Sequence, residues 1–159
     1  MKNLYIIPVF IFVLFSSASA QKKIFQGTYM EHYGKSSDDP YRLIEIHYVD
    51  SNHILFYMEI GRGAPSYNSG AIYGRLQSNP KNSHLEFLPA DTIEHCQLDL
   101  SKKGKNILIK TIVGACPFGN GVLADGNYLF KTSANPVYFV NRKGEKVYFS
   151  KTSPEEYLE

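Results

Sequence analysis

Few residues in this chain could do covalent or acid–base chemistry, and their spacing restricts what they could do. The five histidines, His32, His47, His53, His84 and His95, are scattered with no His-x-His pair and no Cys/His cluster, so no metal site is expected. Glu45 and Glu59 are the carboxylates closest to a hydrolase-like pair, since they fall on adjacent predicted strands. A turn centred on Ser51 and Asn52 sets Glu45 opposite Met58, which sends the two glutamates to opposite faces and yields no dyad. No Gly-x-Ser-x-Gly motif or triad context accompanies any serine. Asp125 precedes Gly126 and reads as a turn residue whose side chain caps backbone N–H groups in its loop. No catalytic residue, cofactor or metal is therefore assigned.

The two cysteines, Cys96 and Cys116, have two readings. One is a disulfide closing a loop of about twenty residues; the other is a free nucleophilic thiolate at Cys116, which needs a nearby base and a positive surrounding. The compartment bears on this choice. Residues 1–20 read as a cleaved signal peptide: Lys2 gives the positive start, Leu4 to Phe15 the apolar run, and Ser16 to Ala20 a small-x-small cleavage site. An uncleaved N-terminal anchor is the alternative, although the run is shorter than the roughly 20 residues a spanning helix needs, and Lys22 and Lys23 follow it. No cysteine follows the leader, which disfavours a lipoprotein. Export to the periplasm or the exterior is the expected destination, and an oxidising compartment favours the disulfide.

Residues 21–159 make one domain, with sixteen basic residues against fifteen acidic. That balance gives no reason to expect a nucleic-acid or anionic-membrane partner, since those require clustered positive charge, and no stable membrane insertion is expected once the leader is removed. The basic cluster Lys102-Lys103-Gly104-Lys105 reads as a solvated hairpin tip.

The elements that must position these groups are strands. Short runs rich in Ile, Val, Tyr, Phe and Thr recur every eight to twelve residues between Gly, Asn, Asp, Ser and Pro. They predict strands near Lys23–Tyr33, Tyr41–Val49, His53–Gly61, Gly70–Gln77, Ser83–Pro89, His95–Ser101, Asn106–Val113 and Gly126–Thr132. A shorter pair follows, Val137–Asn141 and Lys146–Lys151, and then a tail that forms a helical turn or is disordered. Alternation turns Ile44, Ile46 and Tyr48 inward, with Leu85 and Phe87, and with Cys96, Leu98 and Leu100. The run His53 to Ile60 is apolar on both faces, which suggests burial on both sides or a partly covered outer face. Short links between consecutive strands favour an all-β, up-and-down antiparallel barrel of about eight strands with a C-terminal hairpin; a β-sandwich is the alternative.

Two segments exceed what a hairpin needs: Gly61 to Gly70, carrying Gly61, Arg62, Gly63, Tyr67, Asn68 and Gly70, and Cys116 to Tyr128, carrying Phe118, Gly119, Gly121, Asp125 and Gly126. Strands flank both and neither is followed by Gly-Lys-Ser/Thr, so a phosphate cradle is not expected. The glycines permit tight backbone at a barrel end, and Tyr67 and Phe118 place aromatic groups where a partner could reach them, unless Phe118 folds back to plug the barrel.

The patterns G-x-G-x-P-x-x-N-x-G-x-x-x-G, from Gly61 to Gly74, and C-x-F-G-x-G-V-x-A-D-G-x-Y, from Cys116 to Tyr128, resemble those of small exported bacterial β domains of uncharacterised function. The resemblance implies a secreted β domain with a Cys96–Cys116 bridge and transfers no catalytic residue. The combined expectation is an exported, non-catalytic binding module. It meets a protein or cell-envelope partner, as an inhibitor or accessory protein would, through Arg62, Tyr67, Asn68 and Phe118. The alternatives are a lipocalin-like or avidin-like carrier of a small apolar ligand and a cryptic hydrolase.

Overall fold

The computed structural model describes residues 25–32, 36, 38–50, 53–79, 82, 84–88, 96–114 and 116–157; the segment expected as a signal peptide, His95 and the last two residues lie outside them. The fold is all-β. Eleven strands follow in order: β1 Gly27–His32, β2 Tyr41–Tyr48, β3 Ile54–Gly61, β4 Ser69–Ser78, β5 Leu85–Phe87, β6 Gln97–Lys103, β7 Asn106–Val113, β8 Gly126–Tyr128, β9 Phe130–Thr132, β10 Tyr138–Val140 and β11 Lys146–Tyr148. The first nine form one antiparallel sheet in the order β8-β7-β6-β5-β4-β3-β2-β1-β9, and the last two form a separate hairpin.

The strand expected over Gly126–Thr132 is bent at Leu129. Its first half pairs with β7, Ile107 opposite Tyr128, and its second half with β1, Tyr29 opposite Phe130. The two ends of the sheet are thus one continuous piece of chain, and Met30 N–H donates to the Leu129 carbonyl at 2.9 Å across the bend. This rolls the sheet into a barrel, which disposes of the free edges an open sheet would expose.

Inward alternation fills the barrel. Ile44, Ile46, Phe56, Met58, Leu98, Leu100, Ile107 and Ile109 are fully buried in one cluster, with Tyr48 packed at its margin. Leu55 and Tyr57, the other face of β3, lie outside the barrel beneath the β10–β11 hairpin, where Phe139, Phe149 and Tyr157 cover them. Tyr57 stacks on Phe139 with ring centroids 4.0 Å apart, and Tyr73 touches Phe139, Phe149 and Tyr157. The two-sided hydrophobicity of β3 is explained by this second layer. The tail turns at residues 154–156 and returns Tyr157 to that layer.

Two expectations are corrected. The β2–β3 turn holds three residues at its tip, since Val49 N–H bonds the His53 carbonyl and Tyr48 pairs with Ile54. This moves the register by one, sets Glu45 opposite Tyr57 and Leu43 opposite Glu59, and so places both glutamates on the same outer face. Lys102 is not part of a solvated tip. It follows the inward positions Leu98 and Leu100, is half-buried, and sends its ammonium 3.0 Å from the Tyr29 hydroxyl and 4.8 Å from the Tyr29 ring centroid. Burial pulls its pKa down. Gly104 makes the turn beyond it with φ +64°.

Candidate functional site

The two ends of the barrel differ. At one end the strands are joined by residues 49–53, 79–84 and 104–105; at the other, residues 33–40, 62–68, 88–96 and 114–125 make the connections. The two long links that the described residues trace, 62–68 and 116–125, therefore share one end. Both glycine-rich segments lie there and pack on each other. Asn68 Nδ2 donates to the Asn120 carbonyl at 2.7 Å, and the Arg62 N–H bonds the Asn68 carbonyl at 2.9 Å.

The glycines are required by this packing. A Cβ on Gly70 would lie 2.6 Å from the Phe118 Cα, and one on Gly119 would lie 3.1 Å from the Ser69 carbonyl oxygen. Gly121 has φ +71°, and the Arg62 guanidinium occupies the space a side chain would need, its Nη1 2.5 Å from an ideal Cβ. Gly61 makes room for the Tyr41 ring, Gly63 for the backbone of Asp38 and Pro40, and Gly126 for Arg42, which is paired with Glu31 at 2.8 Å. The loops are therefore built against one another, with little slack.

The disulfide Cys96–Cys116 is formed and ties the second loop to the start of β6. Asp125 caps β7 and not its own loop: Oδ1 accepts from the Thr111 N–H at 3.0 Å and the Thr111 hydroxyl at 2.6 Å. The capping role holds, with a partner on the neighbouring strand. Phe118 is half-buried and packs on the barrel core, with its backbone beside Gly70, so it stoppers the mouth.

Other side chains remain outward. Arg62 is exposed, and Tyr67 is 60 % exposed with φ +49°, a backbone conformation unusual for a bulky residue, held by its N–H to the Gly63 carbonyl at 2.8 Å. Leu123 is 65 % exposed, and Ile112 and Val113 add apolar surface at the end of β7. Sequence reasoning passed over these three; the alternation of β7 and the loop position of Leu123 were the available signals. A hollow of about 500 Å³ is lined by Thr111, Cys116, Phe118, Asn120, Leu123 and Asp125, and a second of about 330 Å³ by Tyr41, Arg42, Ile60 and Arg62. Val122 and Leu123 line both. The mouth is thus a cleft with an apolar lip and two arginines, Arg42 and Arg62, on one side.

A second cluster lies on the outer wall. Glu59 accepts from the Tyr57 hydroxyl at 3.0 Å and from the Tyr41 hydroxyl. Burial, then the neighbouring Glu59, pushes the Glu45 carboxyl up to about 7. Burial and the bond to Glu59 raise the Tyr41 hydroxyl as well. His84 bonds Asp99 at 2.9 Å, His53 bonds Asp50 at 2.7 Å, and His47 bonds the Pro136 carbonyl at 2.6 Å while stacking on Phe149. Among the described residues no three His, Cys, Asp or Glu side chains are grouped to hold a metal. No family model, curated protein or solved structure matches this chain.

Proposed function

We propose that this chain is an exported binding module that uses the four-loop end of its barrel to engage a protein or cell-envelope partner, without catalysis. The observation that carries the reading is the convergence of the two glycine-rich connections on one end, where they brace each other and hold Arg62, Tyr67 and Leu123 outward. A braced loop surface loses little conformational freedom on binding, and exposed aromatic and arginine side chains carry much of the energy in protein interfaces. The carrier reading draws less support, because core side chains occupy the described interior and room for a ligand lies in the mouth.

Two surface variants test the proposal. Arg62→Ala and Tyr67→Asn, the latter chosen because asparagine accepts the left-handed backbone, are expected to melt with the wild type. Both are expected to lose the partners that the wild type captures by crosslinking from an envelope fraction. Capture of the same partners by both variants removes the loop end from the account.

A further inference from the structure

The C-terminal hairpin has two faces, and only one is used by the fold. Phe139, Val147 and Phe149 turn toward the barrel. The opposite face carries Tyr138 and Tyr148, which are directly paired across the strands with ring centroids 5.7 Å apart, and the next pair, Val140 and Lys146. The Lys146 ammonium stands 4.7 Å from the Tyr138 centroid, and the Lys151 ammonium 5.1 Å from that of Tyr148. On that face Val140 is 45 % exposed and Tyr148 40 %.

Charge on this element is one-sided. Val137 to Lys151 contains Arg142, Lys143, Lys146 and Lys151 against Glu145 alone, in a domain otherwise close to balance. Arg142 is turned to the barrel, where it bonds the Ser69 hydroxyl at 3.0 Å, and Glu145 accepts from Asn141 Nδ2 at 3.0 Å. The nearby acids are also engaged, Glu155 with Arg75 and Glu156 with the Ser153 N–H. Lys146 and Lys151, set against the two tyrosines with Val140 beside them, are left facing outward, and Lys143 is exposed at the hairpin's turn.

We infer that this face docks the protein on the surface of an anionic phospholipid bilayer. Tyrosine rings and a valine suit the interfacial layer, while lysine ammoniums reach lipid phosphates and keep their stems along apolar surface. The placement of the ammoniums separates this occupant from a sugar or a nucleobase. A stacking ligand has to displace a cation from each ring, whereas a phosphate meets it where it stands. Docking is peripheral, and no strand is inserted.

The test uses the chain from Gln21, which holds every described residue and lacks the apolar leader, in sedimentation with vesicles. It is expected to bind vesicles one third phosphatidylglycerol and two thirds phosphatidylcholine, to ignore pure phosphatidylcholine, and to release as salt rises toward about 0.5 M. Lys146→Gln with Lys151→Gln is expected to weaken binding roughly thirty-fold, near five-fold for each charge. Lys146→Arg with Lys151→Arg preserves the charge and is expected to bind as the wild type, which separates loss of charge from loss of fold. Equal binding to neutral vesicles, or an unchanged glutamine variant, overturns the inference. So does release from vesicles by millimolar inorganic phosphate, by a soluble anionic polysaccharide or by an oligonucleotide.

Discussion

Glu45 shows how one residue ties the outer layer to pH. Its carboxyl is held near 7 by burial and by Glu59, well above the ordinary glutamate value that the unfolded chain restores. A raised acid binds its proton more tightly in the fold, so the stability it contributes is complete below about pH 4.5 and is lost as pH rises to about 7. Glu45→Gln keeps the neutral shape and removes the titration. Urea melts across pH should show the variant level with wild type at pH 4 and more stable above pH 7 by about 2 kcal/mol, a figure reduced for the solvent that reaches this partly exposed group. Parallel curves for the two proteins would mean that Glu45 does not titrate in this window. The same residue shows where sequence reading stops. Alternation identified the inward positions of β2, but the side on which Glu59 emerges depends on whether the β2–β3 tip holds two residues or three, and Asp50-Ser51-Asn52 is compatible with either.

At the scale of elements, the glycine-rich loops behave as one unit because each fills space the other leaves. Gly70→Ala puts a methyl group against the Phe118 backbone, which has no free side-chain end to yield, and is expected to cost about 1–3 kcal/mol by overpacking. Gly104→Ala meets no atom within 4 Å and carries only the penalty of its left-handed backbone, about 1 kcal/mol. Denaturant midpoints of the two variants should differ accordingly; a Gly70→Ala protein as stable as Gly104→Ala would show that the loops are not braced. Strand positions were legible because period-two alternation and turn residues are local signals. The contact between the loops was not, since Asn68 and Asn120 meet only through the barrel that brings the ends of β3 and β7 to one rim. Lys102 was misread for a related reason: a lysine beside a turn is usually solvated, and its inward position follows from the register of β6 on β7.

For the whole molecule, the Cys96–Cys116 bond is a covalent link between the start of β6 and the loop that follows β7. Closing a loop of this length contributes about 3 kcal/mol by restricting the unfolded chain. Reduction, or Cys96→Ser with Cys116→Ser, is expected to lower Tm on the order of 10 °C for a domain of this size. Amide exchange should rise most in residues 114–125. Unchanged melting on reduction would show that the core alone sets stability.

The bend at Leu129 carries a consequence for the order of events in folding. The barrel closes when Thr132 meets Thr28, a pairing across about a hundred residues, whereas β2 through β7 assemble from neighbours joined in sequence. Such a distant contact repays its loop entropy late, so β1 waits with an unsatisfied edge while the meander forms. The chain cannot seal itself until β9 has been made. An interruption of synthesis before that point leaves an open sheet with two adhesive edges, and the last strand of the barrel acts as its latch.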